Sequence, residues 1–139
     1  MALIIQELPA LAKVFQTDIS NLEKSIRGNC MQAAVATLLS LPLEEVENSV
    51  LAGDRCHHQL RIWCRNRRLA LEYFNARIHE GYYLAVGKSP RGRSHMVVML
   101  NGDIYHDPHP QGGGIESVEF TYTIRPYAVS LANVVDNPV

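Results

Sequence analysis

Residues 94–110 read Ser94-His95-Met96-Val97-Val98-Met99-Leu100-Asn101-Gly102-Asp103-Ile104-Tyr105-His106-Asp107-Pro108-His109-Pro110. An apolar run, His95 to Leu100, meets Asn-Gly, the strongest short-range signal for a tight hairpin turn. A second short run, Ile104 to His106, comes next. Asp107-Pro108 then opens a loop, since proline cannot donate to a strand ladder. The stretch predicts two antiparallel strands. Antiparallel pairing brings the residue that opens the first strand, His95, and the residue just past the second, Asp107, to one edge of the sheet.

On either side, the same strand-and-turn pattern fills the second half. Tyr82 to Val86 reads as a strand, Lys88 to Arg93 as a turn or loop, residues 107–114 as a loop, and Val118 to Ile124 as a last strand. Leu69 to Phe74 alternates as a further strand. The first half reads differently. From Cys30 the stretch Met31 to Ser40 is rich in helix formers, with Ala34, Val35, Leu38 and Leu39 at helical spacing. Asn29 stands at the N-cap position, and Leu41-Pro42 stops the helix. A second helix is expected over Leu43 to Val50, with Glu44 and Glu45 suiting its first turn, and a third over residues 56–67. Helices first and an antiparallel sheet second give an α+β fold. Residues 1–25 are mixed, and read as a lead-in arm with a short helix near 19–25.

The 139 residues suit one domain, 1–139, without repeat, low-complexity tract or linker. A hydrophobic share of 47% is that of a chain with a core. With 13 basic and 14 acidic side chains the formal charge is −1, which offers no general attraction to nucleic acid or an anionic membrane. Arg61, Arg65, Arg67 and Arg68 read as a solvated helix face. The first residues lack the basic flank of a secretory signal, and no apolar run reaches the ~20 residues that span a bilayer. Three cysteines, Cys30, Cys56 and Cys64, cannot form a complete disulfide framework. The expected compartment is a reducing cytoplasm.

Three of these features carry chemistry together. Gly28-Asn29-Cys30 stands directly before a helix, where the dipole and unpaired backbone N–H groups favour a sulfur anion, the nucleophilic form. The same N–H groups suit the oxyanion formed when a carbonyl is attacked. His95 is placed to take the thiol proton and return it to a leaving amine. Asp107, twelve residues on, is placed to fix the tautomer of that ring. A metal site is the competing pattern, from Cys56, His57, His58 and Cys64, or from the His106/His109 pair. Cys56 and Cys64 lie about 12 Å apart on a helix, too far to share one zinc ion. The Gln111-Gly112-Gly113-Gly114 loop lacks the lysine and the strand-then-helix setting of a phosphate loop.

The segment Gly28-Asn29-Cys30-Met31-Gln32-Ala33 before a helix resembles the nucleophile segment of papain-like cysteine hydrolases. Ser94-His95-Met96-Val97-Val98, the Asn-Gly turn and Tyr105-His106-Asp107-Pro108 resemble the signature of a histidine, an apolar strand, a turn and Asp-Pro in the bacteriocin-leader-cleaving peptidases and their relatives. They are also similar to small bacterial and phage proteins with Gly-Asn-Cys and His-Asp-Pro-His-Pro stretches. The likeness covers roughly 28–50 and 82–114. It implies a papain-like fold and a Cys30–His95–Asp107 triad acting on an amide or related acyl bond of a peptide, protein or small amide, with no metal or cofactor. The family usually carries an oxyanion-hole glutamine a few residues before the cysteine, whereas Lys24 stands six before Cys30. Gln16, fourteen before, is the nearest substitute, with Asn29 second. Arg93, His106 and His109 are the expected substrate contacts, an arginine before His95 suiting a carboxylate. The alternative is a non-catalytic binding module on the same fold.

Overall fold

The computed structural model describes residues 8–19 and 28–126. Two helices, α1 (Cys30–Leu39) and α2 (Cys56–Asn66), precede five strands: β1 (Leu69–Asn75), β2 (Tyr82–Lys88), β3 (Ser94–Leu100), β4 (Asp103–His106) and β5 (Phe120–Pro126). The strands form one antiparallel sheet in the order β1-β5-β2-β3-β4. The fold class is α+β.

β2 and β3 sit at its heart, and both are buried on both faces. Leu84, Val86, Met96 and Val98 face Met31, Ala34 and Val35 of α1, while Tyr83, Ala85, Val97 and Met99 pack on the other side under Ile115 and Val118. This explains the unbroken apolar run in β3, since a strand covered on both sides needs no polar alternation. Gly87 pairs with His95. A Cβ there would stand 1.9 Å from the Ser117 carbonyl oxygen, so only glycine lets the covering segment cross so close. The β3–β4 turn uses Asn101 and Gly102 with φ of 52° and 96°, the doubly positive pair that matches strand twist.

α1 is buried almost all round, because a strap formed by residues 11–18 covers the face away from the sheet. Thr37 ties the two together, its Oγ1 accepting from Val14 N at 2.9 Å. Tyr105 Oη accepts from Leu11 N at 2.9 Å and lies 2.6 Å from Leu11 O, and Gln16 N donates to Pro108 O at 3.0 Å. α1 ends at Ser40, whose φ of 57° turns the chain before Pro42.

Two expectations change. The helix predicted over 43–50 is two separate 3₁₀ segments, Leu43–Glu45 and Ser49–Arg55. Val46 adopts an extended conformation that breaks the run, and its side chain is buried in the core. The predicted helix near 19–25 falls, beyond Ile19, outside the described residues. Among the described residues no helix is long and apolar enough to cross a membrane.

Candidate active site

Three elements converge at one end of the sheet: the N-terminus of α1, the start of β3 and the loop after β4. His95, the second residue of β3, is 5% exposed. Its Nε2 lies 2.6 Å from Asp107 Oδ1. The β3–β4 ladder shifts register between Val98 and Met99, with Tyr105 as an extra residue on β4, so His106 stands opposite Val98 rather than Val97 just before the chain leaves the sheet at Asp107. Asp107 is itself fixed from behind. His109 N donates to its Oδ1 at 2.8 Å and Gly114 N to its Oδ2 at 2.7 Å. Both carboxylate oxygens are thereby engaged, and the imidazole is locked in one orientation.

With Nε2 committed to Asp107, Nδ1 is the ring nitrogen left over. The Cys30 thiol stands beside the ring, close enough to change its proton affinity. Burial pushes the imidazole down, but the Asp107 hydrogen bond and the neighbouring Cys30 sulfur outweigh it and raise His95 to about 9. Asp107 shows the reverse. Burial raises its carboxyl, and the bonds from His95, His109 and Gly114 together bring it down to about 2. The pair is thus an imidazolium–carboxylate ion pair across the neutral range.

Cys30, His95, Gln16, Arg91, Arg93 and His109 all border one cleft of about 160 Å³. Gln16, 7% exposed, reaches it through the strap. Its Nε2 donates to Asp18 O at 2.8 Å, and its buried Oε1 has no hydrogen-bond partner among the described residues. The first intrahelical bond of α1 runs from Ala33 N to Asn29 O at 3.1 Å, so the N–H groups just before it have no helical acceptor.

Asn29 is placed differently from the sequence expectation. It is 2% exposed, and its Oδ1 accepts from Thr17 N at 3.0 Å and Asp18 N at 2.8 Å. Its Nδ2 donates to Thr17 Oγ1 at 3.0 Å and Gln32 Oε1 at 3.1 Å. Asn29 makes no side-chain cap bond, and both of its Nδ2 hydrogens are committed. It staples the strap to α1 and so sets where Gln16 and Cys30 stand. Gln32 continues the staple, its Nε2 donating to Leu43 O and Val46 O at 3.0 and 2.9 Å.

His106 is also placed elsewhere. Its ring donates through Nε2 to Val14 O at 2.6 Å and lies edge-on to Phe15, which puts it under the strap rather than in the cleft. Arg93 and His109 do border the cleft, the latter with its ring 6.3 Å from that of His95. Burial, and then the Arg91 charge, hold His109 below its ordinary value. Sequence reasoning missed Ser89 as a cleft residue. Its N–H donates to Arg93 O at 2.7 Å and its carbonyl accepts from Gly92 N at 2.8 Å, closing the β2–β3 turn. Ser-Pro-Arg-Gly is the legible signal for that turn.

The remaining cysteines sit apart from this cleft. Cys64 is buried in the core, which pushes its thiol up to about 11. No three His, Cys, Asp or Glu side chains among the described residues converge as a metal cage. Comparison with protein-family models, curated proteins and solved structures finds no match.

Proposed function

We propose that this chain is a papain-like cysteine hydrolase acting on an amide or related acyl bond. The observation that carries the reading is the single imidazole, His95, held by Asp107 at 2.6 Å on one nitrogen and flanked by the Cys30 thiol at a helix N-terminus. In this reading the Cys30 proton already rests on Nδ1 of the His95 imidazolium, and the sulfur anion beside it attacks the substrate carbonyl. The Cys30 backbone N–H and the second hydrogen of Gln16 Nε2 donate to the oxyanion. The imidazolium then gives its proton to the leaving amine, and a thioester forms on Cys30. Water, deprotonated by His95, releases the acid and restores the thiol. Asp107 keeps its negative charge throughout, favouring the imidazolium and its tautomer.

The strap supplies what the segment before Cys30 lacks. A glutamine fourteen residues upstream enters the cleft because Asn29 anchors Thr17 and Asp18, the two residues after it, directly at the helix start.

Incubation with p-nitrophenyl acetate tests the reading. It predicts nitrophenolate release with an acetyl thioester on Cys30, both lost in Cys30→Ala and strongly reduced in His95→Ala. Acetylation that ignores both substitutions contradicts it. A non-catalytic binding module is favoured by one observation, the Gln16 Nε2 bond to Asp18 O, which occupies half of that donor. That reading predicts no thioester at all.

A further inference from the structure

Part of the cleft's lining is a cationic hairpin turn. Ser89-Pro90-Arg91-Gly92-Arg93 joins β2 to β3 and is closed by its own bonds, Ser89 N to Arg93 O at 2.7 Å and Gly92 N to Ser89 O at 2.8 Å. Both arginines border the cleft, and among the described residues no Asp or Glu does. The two have different jobs. Arg91 Nη1 donates to Gly112 O at 2.9 Å, which latches the turn to the glycine-rich loop. That same loop donates Gly114 N to Asp107. Arg91 is therefore a positioning residue that joins the turn to the support of His95. The Arg93 guanidinium, by contrast, has no hydrogen-bond or ion-pair partner among the described residues. A half-buried guanidinium is a fork of five donors suited to a carboxylate.

The space left is small. A cleft of about 160 Å³ falls below the usual range for a drug-sized ligand, and suits one side chain or a short acyl group.

We infer that the substrate carries a carboxylate beside its reacting carbonyl, and that Arg93 is the residue that selects it. This rests on Cys30 being the nucleophile, and names the substrate class of that site. A neutral analogue would leave the guanidinium facing a partly desolvated cleft without a partner, which is where discrimination arises. An acidic side chain of a peptide and a small dicarboxylic acid derivative share this chemistry.

Site-resolved alkylation of the full chain at pH 7 separates the possibilities. Iodoacetate and iodoacetamide react by the same step: the Cys30 sulfur attacks the methylene carbon, the carbon–iodine bond breaks and iodide leaves. Only one of the two carries a carboxylate. The ratio of the two rates at Cys30, iodoacetate over iodoacetamide, is expected to exceed that of free glutathione. It is expected to fall roughly three- to tenfold in Arg93→Gln, to be partly kept in Arg93→Lys and to fall further in Arg93→Glu. His95 is common to every variant, so its own charge cancels. A ratio that is unchanged in Arg93→Gln while iodoacetamide still reacts fast overturns this inference alone. Slow reaction of Cys30 with both reagents overturns the nucleophile assignment beneath it. Chloromethyl ketones of N-acetyl-aspartate and N-acetyl-asparagine then separate the two sources. A faster aspartyl reagent assigns a peptide side chain, and equal rates with the iodoacetate preference intact assign a small carboxylic compound.

Discussion

Replacing Asp107 by Asn removes one charge while keeping nearly the same shape. Asp107 accepts three hydrogen bonds, from His95, His109 and Gly114. An Asn side chain has one oxygen, so at least one of those donors must then face an NH₂ group. The ion pair goes as well. A carboxyl brought from 3.8 to about 2 corresponds to about 2 kcal/mol of native-state stability. The larger displacement of His95, from 6.5 to about 9, also contains the Cys30 contribution, so the carboxylate side is the better measure of what Asp107 supplies.

The two partners stabilise the fold over opposite ends of the pH scale. Asp107 is lowered, so its stabilisation is present above about pH 4 and is lost as pH falls toward 2. His95 is raised, so its share is complete below about 6.5 and is lost as pH rises through about 9. The wild-type advantage over Asp107→Asn should therefore be widest near pH 5–6 and shrink toward both extremes. Thermal unfolding monitored by circular dichroism reads this. For a chain of this size 2 kcal/mol corresponds to roughly 6–10 °C in Tm. A gap that stays constant between pH 5.5 and pH 10 would rule this out, because His95 would then carry no excess charge in the folded state.

Other outcomes rest on particular contacts. Proton NMR of His95 should show a titration near 9 that moves down in both Cys30→Ala and Asp107→Asn; a midpoint near 6.5 in the wild type sinks the ion pair. Gly87→Ala should cost about 3 kcal/mol or more in a urea titration, since its methyl group meets the Ser117 backbone. Gly92→Ala, with open space around it but a φ of 87°, should cost about 1 kcal/mol; similar values for the two would show that the crossing at Ser117 is not tight. Asn29→Ala strips four hydrogen bonds from the strap–helix junction and should destabilise by about 2–3 kcal/mol; a loss below about 0.5 kcal/mol would mean that the strap is held elsewhere.

What the sequence reveals of this fold depends on how local the cause is. The β3–β4 hairpin is legible because an apolar run, an Asn-Gly pair and an Asp-Pro stop are all short-range signals. From them the proximity of His95 and Asp107 comes by pairing alone. α1 is legible from its helix formers and from Pro42. Residues 43–55 mislead because Glu44 and Glu45 suit a helix start, while burial of Val46 requires an extended turn there. The strap has no periodicity to read. Its course is set by partners 11 to 94 residues away, among them Asn29, Thr37 and Tyr105. That explains why Gln16 is found only as the nearest glutamine, why Asn29 is a staple rather than a donor to the cleft, and why His106 faces Val14. The need for glycine at 87 is equally invisible, since it arises from a backbone crossing thirty residues further along.

Whether sulfur and imidazole work together is read from the iodoacetamide rate at each cysteine at neutral pH, resolved by peptide mass spectrometry, in the wild type and in His95→Ala. Cys30 is expected to react at least tenfold faster than Cys56 and Cys64, and to lose this advantage when His95 is removed. If Cys30 labels no faster than Cys56, or keeps its full rate without the imidazole, the sulfur and the ring do not act as one unit and a Cys30–His95 couple is contradicted.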